Sequence, residues 1–110
     1  MLYTLHHSTK YEYLPLLPKL LGVNHLQEPV QRPHGFPAFQ WFYCVKGQGE
    51  FIIDGQKSVI SKGQGLFIYP NIPHSYKGLT SDWTVHLIGF KGNACTEILQ
   101  SLHTVSYTHL

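Results

Sequence analysis

A partial metal-ligand pattern is the first chemistry that this sequence suggests. A metal centre in a small β-barrel needs two histidines one residue apart, a glutamate a few residues on and a third histidine from a later hairpin. Counted back from Gly47, the paired positions hold His34 and Phe36. The glutamate position holds Gln40, and the later histidine is His74. Two imidazoles and a neutral amide are a poor ligand set for a divalent ion, so we predict neither a metal nor another cofactor.

The polar residues near these positions could instead bind a small molecule. Arg32 is the only arginine, and it lies between Gln31 and Pro33 before the first long apolar run. Its planar fork of donors suits a carboxylate, a phosphate or vicinal hydroxyls, and a surface ion pair with Glu28 is the alternative. His74 starts a strand-like run, where it either contacts a ligand or bonds to the backbone.

Alternating residues further along the chain could line the same cavity. Tyr76 follows His74 by two residues and therefore shares its strand face. Trp83, Val85 and Leu87 alternate in the same way along a later apolar run. A concave apolar site with a few convergent polar groups is the usual form of a small-molecule pocket, although core packing is the alternative for Trp83. The candidate ligand-binding residues are Arg32, His34, Gln40, His74, Tyr76, Trp83, Val85 and Leu87.

The sequence offers little for covalent catalysis, nucleic-acid binding or membrane insertion. Cys44 lies inside a strand-like run without a base that the sequence can assign, so we predict that the chain is not an enzyme. The net charge is +2 and the eight lysines and arginines are scattered, which argues against direct DNA binding. No run approaches the roughly 20 apolar residues of a membrane span, and we predict a cytoplasmic protein with free thiols.

Short apolar runs separated by turn residues predict an antiparallel β-barrel or sandwich. The strongest tight-turn signal is Asp54-Gly55, which lies between two such runs. We expect an irregular arm over about residues 1–20, followed by one or two short strands, of which 26–32 is the better candidate. The later predicted strands cover residues 39–45, 50–53, 58–61, 66–69 and 83–90.

The tail changes from a strand period to a helical one. Asn93 can cap a helix, and Glu97 lies in its first turn. At 110 residues the chain is one domain, with a barrel and its arm over 1–92 and the start of a helical or dimerisation segment over 93–110. An apolar stripe in this segment packs either on the barrel or on a second copy of the chain. The stripe consists of Cys95, Ile98 or Leu99, Leu102 and Val105.

Four pieces of the sequence stand out together: Arg32-Pro33-His34-Gly35, residues 43–49 with Asp54-Gly55, residues 63–76, and Trp83 with residues 88–92. In their order and spacing, these pieces resemble the N-terminal cupin-like effector-binding domain of AraC-type bacterial transcription regulators. The resemblance implies a mainly β fold, in which a small antiparallel jelly-roll barrel precedes a C-terminal α-helix.

The resemblance also implies a function. The domain would sense a small molecule, often a sugar, with Arg32 and Tyr76 in its pocket. The family's pocket histidine and tryptophan positions hold Val85 and Leu87 here. We expect a carbohydrate effector, a homodimer, and DNA binding only through a C-terminal pair of helix-turn-helix units that this chain lacks.

Two other functions remain open at the level of sequence. One is a single-domain metal-dependent cupin enzyme, an isomerase or dioxygenase with a degenerate metal site. The other is a dimerisation module whose barrel is filled by side chains, with no pocket and no response to a ligand.

Overall fold

The computed structural model describes residues 2–4 and 17–91, which fold into nine β-strands in two sheets. The described residues include no helix, and hence none that could cross a membrane. The predicted C-terminal helix lies outside the described residues. The strands are β1 (Leu2–Thr4), β2 (Leu17–Leu26), β3 (Val30–Arg32), β4 (Phe39–Lys46), β5 (Gln48–Ile53), β6 (Gln56–Ser61), β7 (Gly65–Ile68), β8 (His74–Gly78) and β9 (Thr84–Lys91).

The two sheets enclose an apolar core. One sheet has five strands in the order β1-β2-β9-β4-β7, and the other has four in the order β3-β8-β5-β6. All neighbouring strands are antiparallel, as the alternating sequence pattern predicts. The core consists of Leu20, Phe42, Cys44, Phe51, Ile53, Ile60, Leu66, Ile68, Tyr76, Trp83, Val85 and Leu87.

The strands predicted after residue 38 are confirmed. The bounds of β4, β5, β6, β7 and β9 each lie within two residues of the prediction. Asp54 and Gly55 both have positive φ, 49° and 80°, as a type I′ turn between two antiparallel strands requires. Local turn chemistry and hydrophobic alternation therefore determine this part of the fold.

The bounds of the N-terminal prediction were wrong. Strand β2 begins at Leu17, inside the predicted arm, and runs to Leu26, and the candidate strand at 26–32 is confined to Val30–Arg32. Pro18 and Gly22 lie within β2, and its pairing with β9 accommodates them through register shifts beside each residue. Asn24 has a φ of 47°, which asparagine tolerates better than most side chains. Most of the predicted arm lies outside the described residues.

The register defines two ends of the barrel. At the first, called the Gly47 end, β4 turns into β5 through Gly47, which has a φ of 75°. β5 then runs to Ile53, which pairs with His74 of β8, and this is called the His74 end. Gln40 lies near the beginning of β4 and therefore at the His74 end. The chain enters and leaves the described barrel at this same end, because Leu17 of β2 pairs with Lys91 of β9.

Candidate functional site

Polar side chains from both sheets face the interior at the His74 end: Arg32, Gln40, His74 and Tyr76. Arg32 lies opposite His74 in the β3–β8 register, and opposed residues of an antiparallel pair share a face. The rings of His74 and Tyr76 stack with their centroids 5.9 Å apart. Phe42, two residues after Gln40, contacts the Tyr76 ring from the other sheet at 5.0 Å. The two sheets thus place four polar groups at one end of the interior.

His74 presents a hydrogen-bond acceptor to the interior. Its side chain is buried, and its Nδ1 lies 2.8 Å from the carbonyl oxygen of Ile72. Because a carbonyl can only accept, Nδ1 carries the proton, and Nε2 of the neutral ring is an acceptor. Burial lowers the pKa of His74; the Ile72 contact opposes this shift, and the charge of Arg32 adds to it. Nε2 is buried without a partner.

Gln40 presents an amide that nothing in the described structure satisfies. The residue is fully buried, and neither its Oε1 nor its Nε2 has a hydrogen-bond partner. It lies on β4 between β7 and β9, paired with Ile68 on one side and Gly89 on the other. Burying an unpaired amide costs about 1–3 kcal/mol, judged from mutational data on proteins. Gln40 can both donate to and accept from a bound molecule.

Arg32 supplies the positive charge of the site. Its guanidinium lies 4.8 Å from the centre of the Phe36 ring, and its Nε is buried without a partner. Arg32 forms no ion pair with any carboxylate in the described part of the chain, so the alternative pairing with Glu28 is not formed. Burial raises the pKa of Tyr76, while the charge of Arg32 and its contact with the phenol lower it.

The remaining apolar candidates lie elsewhere in the core. Val85 pairs with Cys44 near the Gly47 end, and the Trp83 indole covers the backbone of Gly49 there. Leu87 pairs with Phe42, midway along the barrel. Val85 and Leu87 therefore lie away from Gln40 and His74 along the barrel. The Trp83 ring contacts that of Tyr76 at 6.2 Å, with its Nε1 buried and unpaired, and packs in the core.

The described residues do not fit a divalent metal. They contain no group of three or more histidine, cysteine, aspartate or glutamate side chains that could hold an ion. His34 is exposed in the turn after Arg32, and the position two residues on is Phe36, which has no donor atom. His74 and Gln40 alone would offer one imidazole and one neutral amide, which is too weak a set for such an ion.

Two residues at the His74 end were not among the candidates. Phe36 packs against the core below Arg32, and its carbonyl accepts a hydrogen bond from the Asn71 amide at 2.9 Å. Gly89 lies beside Gln40, where a Cβ would come within 3.1 Å of Leu20 and 3.3 Å of Phe36. A glycine that interrupts the apolar alternation of the last strand is the sequence signal that could have identified this position.

Cavities also open on the outer faces of both sheets. One of about 290 Å³ lies at the His74 end, with walls that include Gln31, Ile52 and Ser75. Arg32 and His74, which each carry one of the unpaired atoms, also line this cavity. An apolar cavity of about 400 Å³ lies on the five-stranded sheet. It is lined by Pro18, Trp41, Phe67, Ile88 and Phe90.

Sequence comparison gives one family for this chain. Residues 21–109 match the model of the AraC-like ligand binding domain. No curated protein matches the chain. The family match spans all of the described strands from β3 to β9 and most of β2.

Solved structures support the fold. The protein YhaK from Escherichia coli aligns with a TM-score of 0.68 at 14% identity, over 100% of this chain and 49% of its own. An apo ToxT variant from Vibrio cholerae aligns with a TM-score of 0.59 at 15% identity, over 88% and 42%. A cupin 2 conserved barrel protein from Salinispora arenicola gives 0.54 at 14% identity, over 93% and 83%. The chain thus has a cupin-like fold, and it spans about half the length of the first two proteins.

Proposed function

The chain belongs to the family of AraC-like ligand binding domains, and we propose that it senses a small-molecule effector bound at the His74 end of the barrel interior. The observation that carries the proposal is the set of unpaired buried polar atoms on Arg32, Gln40 and His74. Native interiors contain few such atoms, and each one calls for an explanation. An effector with several polar groups would pair with them.

Each polar side chain has a distinct role in this proposal. Nε2 of His74 accepts a hydrogen bond from an effector hydroxyl, because Nδ1 already holds the proton of the neutral ring. The Gln40 amide donates one bond and accepts another. Arg32 donates from its guanidinium, and Tyr76 contributes a hydroxyl beside it. Because carbohydrate hydroxyls both donate and accept, a carbohydrate-like effector suits this combination.

We further propose that effector binding by this domain controls the DNA binding of a transcription regulator. In this proposal the chain is a cytoplasmic domain of an AraC-type regulator, and a C-terminal DNA-binding domain outside this chain contacts DNA. Residues 93–110 form the start of the helical segment that makes the domain a homodimer. The pairing of Leu17 with Lys91 supports this coupling, because the N-terminal arm and the C-terminal segment both join the barrel beside the effector site.

Neither alternative function is favoured by the site. A metal-dependent cupin enzyme needs a ligand set that Gln40 and His74 do not supply. A filled barrel that serves only for dimerisation would have no reason to bury an unpaired amide in its interior, since an apolar residue of similar size would be more stable there.

A thermal-shift scan of the chain against sugars, sugar acids and other small acids tests the proposed function. Separate wells contain divalent metals or a chelator. Because a ligand of the folded state raises the melting temperature by mass action, a rise with one chemical class, unaffected by chelator, is expected. A rise with metal alone, or a fall with chelator, would instead support the enzyme. The absence of any response would support the filled barrel.

A further inference from the structure

We propose that the effector is a hydroxy acid of the sugar-acid class, whose carboxylate binds Arg32 and whose hydroxyl groups bind Gln40 and His74. This inference rests on the proposed function, because it takes the His74 end as the effector site. It goes further by assigning a negative charge to the effector and by naming the residue that recognises this charge.

The charge balance of the His74 end points to an anion. Arg32 brings one permanent positive charge to a half-buried position, and its Nε has no contact with solvent. No carboxylate of the described residues lies within ion-pair distance of it, and the neighbouring His74 is a neutral base. A buried charge is normally paired, because removing it from water is costly. An effector carboxylate would complete the pair.

The other polar atoms require hydroxyl groups as well as a carboxylate. Nε2 of His74 is an acceptor, and an ionised carboxylate has no hydrogen to donate to it. A hydroxyl group can donate to this nitrogen. The Gln40 amide, with both atoms unpaired, suits a second hydroxyl that donates and accepts. The combination of one carboxylate and at least two hydroxyls defines the sugar-acid class.

A phosphate is the other anion that an arginine commonly binds. A phosphate monoester carries a charge of about −1.5 to −2 at neutral pH. Against the single guanidinium of Arg32, it would leave unbalanced negative charge in a partly dehydrated site. A carboxylate matches the guanidinium one for one, and its two oxygens fit the planar fork.

Isothermal titration of the 110-residue chain with charged and neutral partners tests the inference. The pairs are D-galacturonate with D-galactose and D-glucuronate with D-glucose, and D-galactose 6-phosphate represents the phosphates. We expect at least one uronate to bind about ten- to a hundredfold more tightly than its neutral partner, because hydrogen bonds to charged groups are the stronger ones.

Variants assign this preference to Arg32. Arg32→Gln should abolish it, whereas Arg32→Lys should retain part of it, since lysine keeps the charge but lacks the fork. Lys77→Gln removes an exposed cation of the neighbouring strand and should leave binding unchanged. Melting curves without ligand establish that each variant is folded. If Arg32→Gln does not fold, the ratio of uronate affinity to neutral-sugar affinity, measured for the unmodified chain and for Arg32→Lys, still tests whether Arg32 recognises the carboxylate.

The opposite outcomes separate the two proposals. Equal or tighter binding of the neutral sugars would overturn the acid assignment and leave the effector-sensing function intact, and so would tighter binding of the phosphate. A uronate preference that survives in Arg32→Gln would overturn the role of Arg32. If none of the five compounds binds, the assignment to sugar acids is overturned, and the wider thermal-shift scan judges the sensing function independently.

Discussion

The hydroxyl of Tyr76 is one of the few polar groups at the site that already has a protein neighbour. The charge of Arg32 and its contact with the phenol lower the pKa of Tyr76, so we expect the phenol oxygen to lie within reach of both the guanidinium and the effector. We expect Tyr76→Phe to weaken effector binding about two- to tenfold, because a neutral hydrogen bond contributes about 0.5–1.5 kcal/mol. Titration calorimetry measures the change.

Tyr43→Phe is the matched control for this prediction. Tyr43 lies on the outer face of the five-stranded sheet and is 39% exposed, so its hydroxyl should have no effect on the effector. Equal losses of affinity in Tyr43→Phe and Tyr76→Phe, or no loss in either, would mean that the effector binds away from Tyr76.

The unpaired amide of Gln40 predicts a conflict between stability and function. Gln40→Leu removes two buried polar atoms without partners and keeps a side chain of similar size. We therefore expect the free energy of unfolding to rise by about 1 kcal/mol while effector binding is lost. Urea denaturation and titration calorimetry measure the two effects, and Gln56→Leu, at an exposed position, is the control. A large loss of stability would show that Gln40 is already satisfied in the effector-free protein.

His74 makes the stability of the fold depend on pH. Burial lowers the pKa of His74 in the folded state, whereas the unfolded chain keeps the ordinary value of about 6.5. Below about pH 6.5 the unfolded chain therefore binds more protons than the folded protein. The free energy of unfolding should fall from about pH 6.5 down to the folded-state pKa, by at most about 1.4 kcal/mol per pH unit, and should not change through this group above that range.

Urea denaturation between pH 8 and pH 5 checks this expectation. His74→Gln should remove most of the pH dependence. Burial also lowers the pKa of His25, which is less buried, so His25→Gln serves as the comparison and should remove a smaller part. A pH dependence that His74→Gln leaves unchanged would mean that His74 is protonated in the folded protein.

Among the strands, the Gly47 end is specified by close contacts between glycines and indoles. Gly49 lies beneath the buried Trp83, and Gly65 lies beneath Trp41, which is half-buried on the outer face. A Cβ at either position would meet the indole above it. We expect Gly49→Ala to lower the free energy of unfolding by about 1–3 kcal/mol, because a full core cannot relax. Gly65→Ala should cost less, since Trp41 can move outward. Chemical denaturation of both variants measures this difference, and equal stabilities would contradict it.

The sequence predicted those strands that are determined by their own alternation of apolar and polar residues and by the turns beside them. The strand at Phe39–Lys46 and the Asp54-Gly55 turn follow from alternation and turn chemistry. Strand β2 was missed because its pairing with β9, rather than its own residues, defines it. Proline and glycine are unfavourable inside strands, and the pairing with β9 accommodates Pro18 and Gly22 through register shifts.

The candidate site was predictable in part for a related reason. Alternation predicts the face on which a side chain lies, and Gln40, Tyr76 and Val85 do all face inward. Alternation does not predict the position along the barrel. That position depends on the register, which places Val85 opposite Cys44 and leaves Gly89 opposite Gln40. The pairing partners needed to distinguish the two ends are distant in sequence.

For the molecule as a whole, a sensor must link the effector site to the parts of the chain that respond. Leu17 and Lys91 pair at the His74 end, and Gly89 of the same strand β9 borders Gln40. The two chain segments outside the described barrel therefore join it within a few residues of the proposed site. An effector that binds one arrangement of these segments better than another shifts the equilibrium between them.

This linkage predicts that effector and dimer stabilise or destabilise each other by the same factor. We expect the dissociation constant of the proposed homodimer, measured by sedimentation equilibrium, to change about 5- to 150-fold on saturation with the effector, the usual range of such coupling. Effector affinity measured on dimer and on diluted monomer must differ by that same factor, because the two paths close one thermodynamic cycle. Tyr76→Phe should require a higher effector concentration to reach the same final value of the dimer dissociation constant. A dimer constant that is identical with and without effector would show that the barrel binds its ligand without passing the signal to the dimer.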